Sequence, residues 1–111
     1  MTREPTPPRT FEQFIARYPK LGRAWDQIAE AGADGPLDER TQRLIKLAVA
    51  VGALRQGAVH ANVRKAIAMR IPREEIEQVV ALAAGTLGLP ASVAVYSWMQ
   101  DLWEAQPGSS N

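Results

Sequence analysis

The spacing of apolar residues along the chain predicts helices and offers no convincing strand. Within residues 37–54, apolar side chains recur at intervals of three and four, which places them on one face of a helix. The same spacing recurs in residues 59–67, 76–83 and 95–102. These patterns predict an all-α protein whose apolar helix faces consist of Leu44, Leu47, Ala48 and Val51, of Val59, Val63 and Ile67, of Ile76, Val79, Val80 and Ala83, and of Val95, Met99 and Leu102.

Glycine and proline mark the expected boundaries between these helices. Gly32 stands where a left-handed residue often ends a helix. Gly52 and Gly57 weaken the helix on either side of the short segment between them, so a break is expected there. Pro72 and Pro90 suit the first turn of a helix, and a new helix is therefore expected to begin at each of them.

The length of 111 residues predicts one domain. We expect a flexible, proline-rich N-terminal arm over residues 1–10, a single all-α domain over residues 11–105 and a flexible tail over residues 106–111. No uninterrupted apolar run reaches the roughly 18 residues of a membrane helix, and the polar start of the chain is unlike a signal peptide. The sequence thus predicts a cytoplasmic protein with no membrane partner.

Composition excludes several kinds of site. The chain has no cysteine, which excludes a disulfide, a zinc–thiolate site and thiol redox chemistry. Because it has one histidine and its acidic residues do not cluster, no metal site is expected. The 13 basic and 12 acidic residues are nearly balanced, so the overall charge does not favour a nucleic-acid partner.

Some of the predicted helices are apolar over more than one face. Ile45 and Val49 widen the apolar surface of residues 37–54 well beyond a single stripe. A small helical monomer cannot cover that much apolar surface, and large exposed apolar patches usually mark interfaces. Self-association is therefore the partner interaction that the pattern predicts.

His60 is the first candidate for chemistry, because Gln56 and Arg64 lie four residues away on either side and share its helix face. A histidine can pass a proton near neutral pH, and an amide and a guanidinium beside it suit a carboxylate ligand. The alternative is a packed histidine with a hydrogen-bond partner, with Arg64 on a solvated face. The spacing alone leaves both alternatives open. Arg43, in an apolar helix, could extend its charged end to water.

The order of these segments resembles the carboxymuconolactone decarboxylase family, which includes the alkylhydroperoxidase D-like proteins. The resemblance covers about residues 37–100, and the order and spacing of its pieces carry it. It implies a bundle of about six helices that associates into homotrimers or homohexamers. The matching residues are Leu37, Asp38, Arg40, Thr41, Leu44, Ile45, Leu47, Ala48, Val49, His60, Ala66, Glu74, Glu75, Ile76, Gly88 and Pro90.

The candidate site departs from the peroxidase-type branch of that family. In that branch a Cys-x-x-Cys pair precedes the histidine, and its cysteines would fall near Ala53 and Gln56. A relay glutamate of the same branch would fall near Arg43, and a family glycine corresponds to Arg70. Thiol-dependent peroxide reduction needs a thiolate nucleophile, so that activity is excluded here.

The decarboxylase-type branch lacks the cysteine pair and keeps the histidine, so its resemblance implies His60 as the proton carrier. An acid that often lies one turn before the histidine maps to Gln56, whose amide can orient a substrate but cannot titrate. Arg43 or Arg64 would hold an anionic substrate. The implied reaction is loss of carbon dioxide from a small lactone acid, with no cofactor.

Two hypotheses of different classes follow. The first is a cysteine-free, decarboxylase-like enzyme that acts on a small carboxylate or lactone through His60. The second is a non-catalytic family member that serves as an oligomeric binding or scaffold protein. The absence of an acid at both Arg43 and Gln56 favours the second, and the retained histidine with polar neighbours favours the first. Whether the chain is an enzyme stays open at this point.

Overall fold

The computed structural model describes residues 9–105, and these residues form six α-helices with no strand among them. The predicted all-α fold is confirmed. The helix α1 begins two residues inside the predicted arm, whereas the rest of that arm and the predicted tail lie outside the described residues. The helices are α1 (Arg9–Arg17), α2 (Pro19–Ala33), α3 (Glu39–Gly52), α4 (Gln56–Ala68), α5 (Arg73–Leu87) and α6 (Leu89–Ala105).

Most of the helix boundaries lie where glycine and proline predict them. The helix α3 ends at Gly52, and α5 and α6 begin next to Pro72 and Pro90. Gly88, with φ of 87°, ends α5 in a backbone conformation that suits glycine, and its N–H donates to the Ala84 carbonyl at 2.9 Å. Glycine and proline therefore mark most of the helix boundaries in this chain.

The predicted cap at Gly32 is wrong. The helix α2 continues to Ala33, and Asp34 is its C-terminal cap residue, with extended rather than left-handed backbone. The Asp34 N–H donates to the Glu30 carbonyl at 3.1 Å and satisfies one of the last free carbonyls of the helix. The helix continues because Gly32 and Ala33 both adopt helical backbone angles, and it ends one residue after Gly32.

Two turns place a non-glycine residue in the left-handed region. Leu54, between α3 and α4, has φ of 54°, and Arg70, between α4 and α5, has φ of 64°. At the second turn the Arg70 N–H donates to the Ile67 carbonyl at 2.9 Å, and the Ile71 N–H donates to the Ala66 carbonyl at 3.1 Å. Arg70 is the position where the family resemblance has a glycine, and its backbone conformation explains that preference.

We expect Arg70→Gly to raise the free energy of unfolding by about 0.5–1 kcal/mol. A left-handed conformation costs a residue with a side chain roughly 1–2 kcal/mol, and the greater freedom of glycine in the unfolded chain offsets part of the gain. Met69→Gly is the control, because Met69 has φ of −83° and glycine there only adds disorder to the unfolded chain. Urea unfolding of both variants checks this, and a loss of stability in Arg70→Gly would contradict it.

Residues 40–105 form one compact unit, in which α6 packs against both α4 and α5. Its interior brings together the apolar faces that the spacing predicts, and Ala48 is the one residue of those four faces that is exposed. Fully buried side chains come from all four helices of the unit. They are Leu47 and Val51 on α3, Val59 and Val63 on α4, Ile76 on α5, and Val95 and Met99 on α6.

Residues 9–39 belong to a second compact unit, in which α1 packs against α2. The rings of Phe14 and Tyr18 contact each other with centroids 5.4 Å apart, and Gly22 of α2 lies close to Ile15 of α1. Neither helix contains a buried residue. Within residues 9–105, no helix is both long enough and apolar enough to span a membrane.

Candidate functional site

His60 lies on α4 and contacts the main chain of α6. Its Nε2 is 3.1 Å from the carbonyl oxygen of Trp98, and the imidazole is half-buried. A carbonyl oxygen can only accept, so the proton of the bond is on Nε2, and the neutral ring then has its lone pair on Nδ1. The bond therefore fixes both the ring orientation and the tautomer of His60.

Gln56 and Arg64 lie one turn before and one turn after His60 on α4, as predicted. Both side chains are exposed, whereas Val59 and Val63, on the neighbouring face, are fully buried. The helix thus has a buried apolar face and, beside it, a line of polar residues in which the half-buried imidazole lies between two exposed side chains. A small carboxylate could reach this line from solvent without entering the core.

Arg43 does not join this polar line. Its Nη1 donates to the Asn62 Oδ1 at 2.6 Å, and the Asn62 Nδ2 donates to the Ala58 carbonyl at 2.9 Å. Asn62 is two residues after His60, which is about 200° around an α-helix. The guanidinium of Arg43 therefore reaches α4 on a side far from the imidazole, and the chain does not bring Arg43 and His60 together.

Asn62, the partner of Arg43, is a residue that sequence reasoning missed. It is 19 residues from Arg43, so no rule about local helix spacing connects the two. Its amide accepts from the arginine and donates to its own helix, and in this way it orients the guanidinium between α3 and α4. Asn62 is one of five polar residues on α4, and nothing in the local sequence distinguishes it from the other four.

No ion pair of Arg43 with a carboxylate is found among residues 9–105. Burial lowers the pKa of its guanidinium, and its Nε is buried with no hydrogen-bond partner among the described residues. An unsatisfied buried donor costs roughly 1–3 kcal/mol. Desolvation also lowers the pKa of Lys65, and the positive charges of Arg43, Lys46 and Arg64 lower it further. The contact between α3 and α4 is therefore electrostatically positive.

We expect Lys65→Gln to be at least as stable as the wild type at neutral pH. The folded state lowers the pKa of Lys65 below its ordinary value of 10.5. Between the two pKa values the unfolded chain binds more protons, so the contribution of Lys65 to stability rises with pH up to about 10.5. Urea unfolding from pH 7 to 10 should show a steeper rise in the wild type than in Lys65→Gln. Parallel curves would contradict the expectation.

A groove of about 700 Å³ runs between α3 and α5. Its walls are mainly apolar, and the ion pair of Arg40 with Glu75 stands at its edge. His60 does not line it. The lining residues are Thr41, Leu44, Ile45 and Ala48 from α3 and Glu75, Gln78, Val79, Leu82 and Ala83 from α5.

The aromatic residues of α6 serve the packing of α5 against α6. Trp103 is buried, and the guanidinium of Arg73 lies 4.4 Å from the centroid of its ring. The Arg73 Nε also donates to Glu77 at 2.9 Å, and the hydroxyl of Tyr96 donates to the same carboxylate at 3.3 Å. The hydrogen bond to Glu77 raises the pKa of Arg73. These contacts agree with a packing role rather than a ligand cage.

The sequence profile of the carboxymuconolactone decarboxylase family matches residues 19–101. The chain belongs to this family. The match begins at Pro19 and so includes α2, which the resemblance over residues 37–100 had left out. Comparison with curated proteins gives no match.

A solved structure shows the same fold. It is the apo form of a carboxymuconolactone decarboxylase family protein from Legionella pneumophila, with 24% sequence identity, a TM-score of 0.76 and coverage of 86% of each chain. At that identity the likeness establishes the fold alone. Within residues 9–105 of the present family member, no three imidazole and carboxylate side chains lie close enough together to hold a metal ion.

Proposed function

We propose that this carboxymuconolactone decarboxylase family member acts on a small lactone acid or a related small carboxylate, with proton transfer through His60. The observation that carries the proposal is the hydrogen bond from the His60 Nε2 to the Trp98 carbonyl oxygen. It holds the ring in one tautomer and leaves Nδ1 to accept and return a proton, which is the arrangement that a general acid–base histidine needs.

In the proposed reaction the bond between the carboxyl carbon and the ring carbon breaks and carbon dioxide leaves. The electron pair stays on the substrate and is delocalised into the lactone carbonyl. His60, which has taken a proton from solvent at Nδ1, then donates that proton to the carbanion carbon and returns to the neutral tautomer. Arg64 is the favoured anchor for the carboxylate because it lies one turn from His60 on the same side of α4, and Gln56 orients the substrate through its amide.

The proposal is tested with a panel of small lactone acids and carboxylates, each assayed for thermal stabilisation and for release of carbon dioxide. A ligand that binds the folded state raises the melting temperature by mass action. We expect at least one compound to stabilise the wild type, to release carbon dioxide and to lose its turnover in His60→Gln. Release of carbon dioxide at the same rate in the wild type and in His60→Gln would overturn the role of His60.

A second candidate function is that of a non-catalytic binding or scaffold protein. It is favoured by the position of the groove between α3 and α5, which His60 does not line, and by the hydrogen bond that directs Arg43 to Asn62 rather than to the polar line of His60. In that case the only role of His60 is the hydrogen bond that connects α4 to the main chain of α6. No compound of the panel would then be turned over, and His60→Ala, which removes the hydrogen bond, would have a lower melting temperature than the wild type.

We also propose that the chain forms homotrimers or homohexamers, with the apolar surface beside the groove buried between copies. The exposed side chains that support this are Ile45, Val49 and Leu82, of which Val49 is 66% and Leu82 is 72% exposed. They lie on α3 and α5, at or next to the groove walls. Contiguous exposed apolar surface of this kind usually marks an interface.

We expect Leu82→Glu to shift the assembly to monomers of 12.1 kDa. A charge buried at an apolar interface has no partner and costs more than the contact contributes. Ser97→Glu is the control, because Ser97 is an exposed position on α6. Light scattering after size-exclusion chromatography measures the mass. A wild type that is already monomeric, or an intact trimer of Leu82→Glu, would contradict this interface.

A further inference from the structure

The near balance of charge over the whole chain hides a strong segregation. Between Arg40 and Arg73 the sequence contains eight basic residues and no aspartate or glutamate. This segment contains nearly all of α3 and the whole of α4. The basic residues are Arg40, Arg43, Lys46, Arg55, Arg64, Lys65, Arg70 and Arg73.

Three of these basic residues lie on the faces of α3 and α4 that contact each other. Arg43 and Lys46 are three residues apart on α3, and Asn62 and Lys65 are three residues apart on α4, so each pair shares a helix face. The hydrogen bond of 2.6 Å from Arg43 to Asn62 joins the two faces. We call these four residues, Arg43, Lys46, Asn62 and Lys65, the α3–α4 basic cluster.

No carboxylate of residues 40–105 is paired with the α3–α4 basic cluster. The acidic side chains of residues 40–105 lie on α5 and α6, and two of them, Glu75 and Glu77, are paired with Arg40 and Arg73. The Nε of Arg43 is buried and has no hydrogen-bond partner within residues 9–105. The cluster thus has an excess of positive charge that no carboxylate of residues 40–105 offsets, which is the composition of an anion site.

We propose that the α3–α4 basic cluster binds a small multivalent anion that carries a phosphate group or several carboxylates. One carboxylate would be satisfied by a single guanidinium, whereas three cations around one amide suit an anion of higher charge. Arg43 is half-buried beside Asn62, whereas Lys46 and Lys65 are exposed and can reach a ligand from solvent. Asn62 orients the guanidinium, as a supporting residue does in a preorganised site.

This anion site is separate from the site proposed around His60. Asn62 and Lys65 lie about 200° and 140° around α4 from His60, because each residue turns the helix by about 100°. Binding at the cluster therefore requires neither the imidazole nor a turnover reaction. A failure of one proposal leaves the other unaffected.

The test is a titration of the wild type with inorganic phosphate, pyrophosphate and citrate at constant ionic strength, followed by calorimetry and by melting temperature. We expect pyrophosphate or citrate to raise the melting temperature beyond an equal ionic strength of sodium chloride. Phosphate compounds and citrate distinguish phosphate recognition from general polycarboxylate binding. An equal effect of sodium chloride would overturn the proposal, because only screening of repulsion would then remain.

Two matched variants place the site. Lys65→Gln removes one charge of the cluster and should weaken binding about tenfold or more, as expected for the loss of one charge-assisted hydrogen bond. Arg55→Gln removes the same charge from an exposed position outside the cluster and should change binding little. His60→Gln should bind the anion as the wild type does. Equal weakening in Lys65→Gln and Arg55→Gln would overturn the assignment to this cluster.

Discussion

Leu47→Ala should lower the free energy of unfolding by about 2–5 kcal/mol. Leu47 is fully buried and connects α3 to the interior formed by α4, α5 and α6. Alanine removes most of the apolar side chain and leaves a cavity that surrounding side chains fill only in part. For a chain of this size such a loss is a large fraction of a total stability of roughly 5–15 kcal/mol.

The matched control for this prediction is Val49→Ala. Val49 lies two residues further along the same helix, on another face, and is 66% exposed. In dilute protein this substitution should change the free energy of unfolding by less than about 0.5 kcal/mol. Both values come from guanidinium unfolding followed by circular dichroism. A loss below about 1 kcal/mol for Leu47→Ala would show that α3 does not pack as described.

His60→Gln should lower kcat for any compound that the wild type decarboxylates by about 10²–10⁴-fold, the usual contribution of a general acid–base residue. Glutamine has an N–H that can replace the histidine Nε2 as donor to the Trp98 carbonyl. It cannot accept and return a proton near neutral pH. The variant therefore separates proton transfer from the structural bond between α4 and α6.

Asn62→Ala is the control for that measurement. Asn62 is on α4 but on the side that faces Arg43, so its loss should leave kcat within about threefold while it alters the environment of the guanidinium. The melting temperature of His60→Gln should stay near that of the wild type. A kcat reduced equally in both variants would indicate a general disturbance of α4 rather than lost proton transfer.

The fold could be predicted from the sequence because its strongest determinants are local. The apolar period of α4 ends before Arg70 and resumes after Pro72, and both helix ends fall where that pattern places them. Gly52 and Gly57 similarly enclose the break between α3 and α4. The error at Gly32 has the same origin, since glycine permits a left-handed cap but does not require one.

The candidate site was predicted less completely because its contacts are distant along the chain. Helix spacing places Gln56, His60 and Arg64 on one side of α4, and that relation needs no tertiary information. The partner of Arg43 is 19 residues away, and the partner of His60 is 38 residues away. The second partner is a main-chain oxygen, which no side-chain motif can reveal. The α3–α4 basic cluster was missed as well, because the net charge of the chain does not show how its basic and acidic residues are distributed.

The acceptor of the His60 hydrogen bond is a main-chain oxygen, so the bond does not depend on which side chain stands at position 98. The indole of Trp98 is constrained separately, because it packs against the apolar interior. The bond requires that α6 keep its position relative to α4. The side chains of Val95 and Met99, which are buried in the interior, hold α6 in that position. Selection for the histidine geometry would thus also act on Val95 and Met99, which supply no hydrogen bond to the imidazole.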